Sequence, residues 1–178
     1  RRIDNDSRAA SVLRDSVARI EAIAGVHNLL CREDIGITTV DAIAQQLVDS
    51  ARVTFDPPST PINYRVIGES VQIGSREATV LAIVLNELVV NAIMHGLSQQ
   101  SGTIIIETTL DTEQMVHVEV RDDGPSRSSH GMSVPSSGMG LQIIRTLVAE
   151  DLHGSFELLN DGEWTRARVH FPQRISES

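Results

Sequence analysis

The stretch from Leu85 to Gly96, LNELVVNAIMHG, constrains this chain more than any other. Leu88, Val89, Ala92 and Ile93 recur at helical spacing, and neither proline nor interior glycine interrupts the run. The stretch therefore reads as a helix with a core-facing side. Glu87, Asn91 and His95 repeat at intervals of four and form one polar row along it. Burying such groups costs roughly 1–3 kcal/mol each unless they find partners. Either the row meets water, or something polar sits against it.

Composition narrows the choice. A chain of 178 residues with 40% apolar residues can build one core. A formal charge of −9 without a basic block, and only 3% aromatic residues, exclude a surface that tracks nucleic-acid phosphates or stacks on bases. Cys31 has no second cysteine to pair with, which fits a reducing cytosol, and it is expected to be a small buried hydrophobe. No apolar run approaches the ~18 residues of a membrane span, and RRIDNDS is not a signal peptide. The expectation is a cytoplasmic location, with no membrane contact in this stretch of chain. Beginning at Arg1, the chain reads as a piece of a longer one.

Asp4, Asn5, Asp6 and Ser7 offer N-caps to a helical pattern reaching about Leu30. Leu13, Val17, Ile20, Ala24, His27 and Cys31 alternate by four and three, a heptad seam widened by Ile23, Val26 and Leu30. A helix so apolar on one side needs a partner, so residues 1–34 are read as half of a helical hairpin in a dimeric bundle. A second helix follows from a cap at Thr39 or Asp41 to about Val53. Beyond Pro57, Pro58 and Pro61 come a strand over 62–68 and a long helix, capped by Ser75, that ends at Gly96. Period-two patterning predicts strands over 103–110 and 115–121 around a tight turn, with His117 on the solvated side. Residues 122–138 dissolve into a loop with three glycines, two prolines and six serines, long enough to be functional. A helix through Leu141, Ile144, Leu147 and Val148 ends at His153-Gly154. Strands near 155–159 and 164–171 pair over an Asp161-Gly162 turn, and the tail from Gln173 is expected to fray. The fold class is α+β: a two-layer sandwich of helices on a mixed β-sheet over 35–178, preceded by the N-terminal helix of a dimeric bundle.

Three features carry chemistry. Beside the Glu87/Asn91/His95 row stand Asp122-Asp123-Gly124 at a strand end, where a carboxylate can accept a ligand's amino hydrogen. Ser137-Gly138-Met139-Gly140-Leu141 opens a helix whose free N–H groups favour phosphate. A dinucleotide fingerprint fails, because Ile143 stands at the third glycine and a loop precedes the motif. No phosphate-loop GK[ST] and no Gly-x-Ser-x-Gly elbow occur, and no histidine spacing favours zinc.

In this order the residues resemble the ATP-binding domain shared by sensor histidine kinases, gyrase-type topoisomerases, mismatch-repair ATPases and heat-shock chaperone ATPases. NELVVNAIMHG resembles the family's N box, DDG its first glycine box, and SSGMGLQII its second. The resemblance implies that Asn91 holds Mg²⁺ against the phosphates of ATP and that Glu87 polarises the attacking nucleophile. It implies that Asp122 accepts the adenine amino hydrogen, that Gly124 admits the ring, and that Thr165 supports the aspartate. Gly138, Met139, Gly140 and Leu141 would contact phosphate, and 125–137 would be a lid over the nucleotide. His95 would either reach the nucleotide or cap the helix. The first glycine box departs from the family's pattern, with Pro125-Ser126 where a further glycine is usual.

Residues 7–31 resemble the second helix of the dimerisation and phosphotransfer hairpin of one histidine-kinase subfamily. The phosphoacceptor histidine would lie on the first helix, and His27 is a packed seam residue. The implied function is the catalytic region of a two-component histidine kinase, homodimeric, passing phosphate to a response-regulator receiver domain. The alternatives are an anti-sigma-factor-type serine kinase and a nucleotide-sensing pseudokinase.

Overall fold

The computed structural model describes Ile20, Ala24 and residues 37–55, 61–98, 100–125 and 139–174. Ile20 and Ala24 are helical and exposed. The rest of the N-terminal seam, with His27 and Cys31, lies outside the described residues.

Five strands form the main sheet: β2 (Ile62–Gly68), β4 (Gly102–Leu110), β5 (Met115–Asp122), β6 (Ser155–Asn160) and β7 (Thr165–Pro172), in the order β2-β4-β5-β7-β6. Only the β2–β4 pair is parallel, so the sheet is mixed as expected. Two short strands, β1 (Ile37–Thr39) and β3 (Gln72–Gly74), pair antiparallel apart from it. At three residues each they are too brief for a period-two signal. Helices α1 (Val40–Phe55), α2 (Ser75–Asn91) and α3 (Met139–Glu150) complete the two layers.

The core lies between the layers. Val116, Val118 and Val120 of β5 and Ala167, Val169 and Phe171 of β7 alternate toward the helices. They meet Ile43 and Leu47 of α1, Leu81, Leu85 and Leu88 of α2, and Ile144 and Val148 of α3. Removing this much apolar surface from water is the main source of stability. The segment Ser75–Gly96, 22 residues, is apolar enough to cross a bilayer, which corrects the expectation that no such run exists. Its apolar residues are spent on the sheet, and it is the central core helix.

Local signals decide the helix ends. Thr39 Oγ1 accepts the Ala42 N–H at 3.4 Å and so caps α1. Ser75 is not a cap: extended Gly74 occupies that position without a side-chain bond, and Ser75 is the first helical residue. The α-helix also stops at Asn91, and a single π turn, Ala92–Gly96, continues it, with the Leu97 N–H donating to Ala92 O at 2.7 Å. Gln173 is tied down rather than frayed, because its backbone N–H donates to Gln114 O and its side chain to Gln72 O, both at 2.8 Å.

The outer face of the sheet is a charge network. Glu119 accepts from Arg121 at 3.0 Å, Arg166 at 3.0 Å and Arg168 at 2.7 Å, and Arg121 also reaches Glu107 at 2.8 Å. His117 was expected to be solvated. Register sets it directly opposite His170, and the two rings meet edge to face while His117 Nε2 bonds Asp111 Oδ2 at 2.8 Å. That bond above all holds the Asp111 carboxyl below the usual range, and burial then His117 lower the His170 pKa.

Burial works to raise the Glu119 pKa, but Arg168, Arg121 and Arg166 outweigh it, and the net shift is downward. A depressed carboxylate contributes stability above its unfolded pKa and loses it as pH falls through the folded value. Glu119→Gln should cost about 1–3 kcal/mol at neutral pH in denaturant unfolding. The variant should also lose less stability than the parent on acidification to about pH 4. Parallel acid profiles would contradict this account of the network.

Candidate functional site

Helix α2 is one wall of the site. Glu87 is 5% exposed and Asn91 half-buried, four residues apart on the same face. The first turn of α3 lies on them: a Cβ placed on Gly140 would stand 3.0 Å from Glu87 Oε2 and 3.9 Å from Asn91 Nδ2. Even a methyl group there would crowd the Glu87 carboxylate and touch Asn91. A helix start leaves unbonded N–H groups and the positive end of its dipole, so an anion is favoured beside this carboxylate–amide pair. Met139 is the first residue of α3 and Leu141 is half-buried in its first turn. Gly138 and the expected lid, beyond exposed Pro125, lie outside the described residues.

His95 does not continue the Glu87/Asn91 row. It falls in the π turn, where the repeat of four is broken, and its side chain is exposed. Sequence periodicity assumed one continuous α-helix, and nothing in the residue pattern signals the wider turn.

Asp122 closes β5 on the helix-facing side and is 4% exposed. Its Oδ1 accepts the Gly124 N–H at 3.2 Å. Burial pushes its pKa up to about 6 against that bond, and neighbouring Asp123 adds to the rise. Asp123 has a different task, since its Oδ1 accepts the Thr103 N–H at 2.6 Å and its own N–H donates to Thr103 O at 3.3 Å. One carboxylate ties the end of β4 to the chain leaving β5, and the other keeps acceptor capacity.

Gly124 was expected to admit a ring. Its Cβ position falls 2.0 Å from Gly96 O, so the bare backbone there lets the chain pack against the end of the π turn. Thr165 is the cross-strand partner of Asp122, but its hydroxyl accepts from Asn160 Nδ2 at 3.3 Å. Gly96, read from sequence only as a helix terminator, touches the Asp122 carboxylate.

A concavity of about 530 Å³ lies on the outer face among Glu107, His117, Glu119, Arg121, Arg166 and Arg168. Its charges are already paired with one another. The open chemistry is on the helix side.

The model of the histidine kinase-, DNA gyrase B- and HSP90-like ATPase family matches residues 77–175, more than half the chain. The chain belongs to that ATPase family. This ATPase domain is 34% identical over 161 residues to the sensor histidine kinase PdtaS of Mycolicibacterium smegmatis, covering 87% of the chain and 31% of that protein. It is 27% identical over 157 residues to blue-light-activated histidine kinase 1 of Erythrobacter litoralis, covering 86% and 42%. It thus spans about a third of the length of the first of these relatives. The solved histidine kinase domain of the Erythrobacter litoralis blue-light-activated kinase superposes with a TM-score of 0.75 at 19% identity, over 89% of this chain and 75% of that one. The ATPase domain therefore has the ATP-binding catalytic fold of sensor histidine kinases.

The raised pKa of Asp122 carries a sign. The folded state binds this proton more tightly than the unfolded chain, so stability is greatest below the unfolded value near 3.8 and declines as pH rises through about 6. Asp122→Asn should remove that decline, on the order of 1–3 kcal/mol. Thermal unfolding at a series of pH values checks it, and a variant that keeps the parent's slope would refute the assignment.

Proposed function

We propose that this domain binds Mg·ATP in the crevice walled by α2, and that in its whole protein it transfers the γ-phosphoryl group to a histidine. The observation that carries the reading is the arrangement of three polar side chains along one helix, two borne by it and one by the end of β5. The Glu87/Asn91 pair lies under the start of α3, and the buried Asp122 carboxylate stands at the far end of the same wall. Roughly 13 Å of helical rise separates Glu87 from Gly96, which suits phosphates at one end and a base at the other.

Asp122 accepts the amino hydrogen of adenine, with Thr165 beside it across the ladder. Its neighbours leave it largely desolvated, so the hydrogen bond it makes is stronger than one made in water. Gly138, Met139, Gly140 and Leu141 present backbone N–H groups to the phosphates, and 125–137 closes over them. Asn91 supplies one amide oxygen to Mg²⁺, which neutralises phosphate charge when bound. Glu87 orients the incoming imidazole or takes its proton. His95, on the π turn one residue before Gly96, stacks on the nucleotide at the base end of the crevice. Gly124 seats the adenine end of the crevice.

The whole protein, by its likeness to sensor histidine kinases, acts as a homodimer through residues 1–34. It works at the cytoplasmic side and passes phosphate to a response-regulator receiver domain.

Asn91→Ala should weaken ATP binding about tenfold or more in Mg²⁺, equivalent to about 1.4 kcal/mol, while leaving binding in EDTA unchanged. Calorimetry checks this, and equal affinity for both proteins in Mg²⁺ would sink the metal assignment. Glu87→Gln in the full-length kinase should retain ATP binding and lose histidine phosphorylation, read as acid-labile label. Normal labelling would remove Glu87 from the reaction.

A further inference from the structure

The two sides of the crevice's carboxylate end touch at Gly96. A Cβ at Gly96 would lie 2.3 Å from Asp122 Oδ1, 2.5 Å from Cγ and 2.7 Å from Oδ2. Gly124 presses from another side, its own Cβ position 2.0 Å from Gly96 O, 2.3 Å from Gly96 C and 2.8 Å from Leu97 N. The backbone at Gly96 is therefore enclosed by a carboxylate and by the chain two residues beyond it.

The π turn puts it there. The Leu97 N–H donates to Ala92 O, and the Leu97 side chain, 1% exposed, anchors the turn in the core. Leu97 is itself hemmed in by β4, where a Cβ on Gly102 would stand 2.3 Å from Leu97 Cδ2. The turn cannot easily retreat from Asp122. The two contacts differ in what can give way. At Gly124 backbone meets backbone, and a side chain would have to separate two strands of chain. At Gly96 the obstacle is the end of a two-torsion side chain, so an added methyl group would turn the carboxylate aside and leave the fold in place.

We propose that Gly96 is a positioning residue for adenine recognition: the missing side chain lets the Asp122 carboxylate stand against the end of the π turn, aimed into the crevice. Gly124 N–H occupies one lone pair of Oδ1, and the Gly96 backbone blocks rotation toward the helix end. The remaining acceptor sites are left for the exocyclic amino group. The inference rests on the proposed reading of Asp122 as the adenine acceptor.

The test uses the whole chain, with ADP and IDP in Mg²⁺ measured by calorimetry; IDP carries a carbonyl where ADP carries the amino group. The parent should prefer ADP about tenfold or more. Gly96→Ala should lose most of that preference: affinity for ADP falls toward that for IDP, while affinity for IDP changes less than about twofold. Retained preference, or an equal fall for both nucleotides, would overturn the inference and leave Gly96 a packing residue. A parent that does not distinguish the nucleotides would overturn the adenine reading of Asp122 itself, and the inference with it. Should Gly96→Ala fail to fold, the same substitution in an Asp122→Ala background decides, because no carboxylate is left to displace. A folded double variant supports the proposal, and an unfolded one refutes it.

Discussion

A carboxylate kept almost out of water, at the end of a central strand, governs the rest of this structure. Asp122 accepts a hydrogen bond from the Gly124 N–H, and its environment pushes it toward the neutral acid. A group so placed destabilises the fold at neutral pH and is best satisfied by a donor from outside. The elements around it meet at that point: β5 delivers it to the helix side, bare Gly96 leaves room for it, and a π turn brings the end of α2 against it. π turns of this kind interrupt helices where a site needs backbone displaced. The same helix carries Glu87 and Asn91 under the start of α3, so one rigid element registers both ends of the crevice.

The two faces of the sheet show opposite solutions to polar groups. On the outer face β4, β5 and β7 contribute to a set of ion pairs around Glu119, and the two histidines contact each other while His117 bonds Asp111. On the helix face the carboxylate of Asp122 is left with capacity to spare. Adjacent Asp123 sharpens the contrast, since both its carboxylate and its N–H are committed to Thr103. Saturated networks hold shape, while an unsaturated buried acceptor is a place for a ligand.

Much of this was legible beforehand, for physical reasons. Val116, Val118 and Val120 announce their strand because one face is buried and side chains alternate. Glu87 and Asn91 share a face because an α-helix repeats at about four residues, and the order of N box and glycine boxes pointed to the ATPase family whose model matches residues 77–175. What escaped was non-local or sub-helical. His95 leaves the polar row because a π turn widens the helix by one residue, and no residue type marks that turn. The His117–His170 contact depends on register between strands 53 residues apart. Gly96 looked like a helix terminator, since its demand for bareness comes from Asp122, brought to it only by folding. The span-like apolar content of Ser75–Gly96 becomes a core helix for the same reason.

The central claim concerns where a nucleotide lies in this crevice. A crystal structure of the chain grown with Mg²⁺ and a non-hydrolysable ATP analogue tests it directly. The account predicts the adenine amino group within hydrogen-bond distance of Asp122, the phosphates over the first turn of α3, and the metal on the Asn91 side-chain oxygen. A nucleotide bound elsewhere, or a crevice left filled by the chain's own side chains, would contradict it.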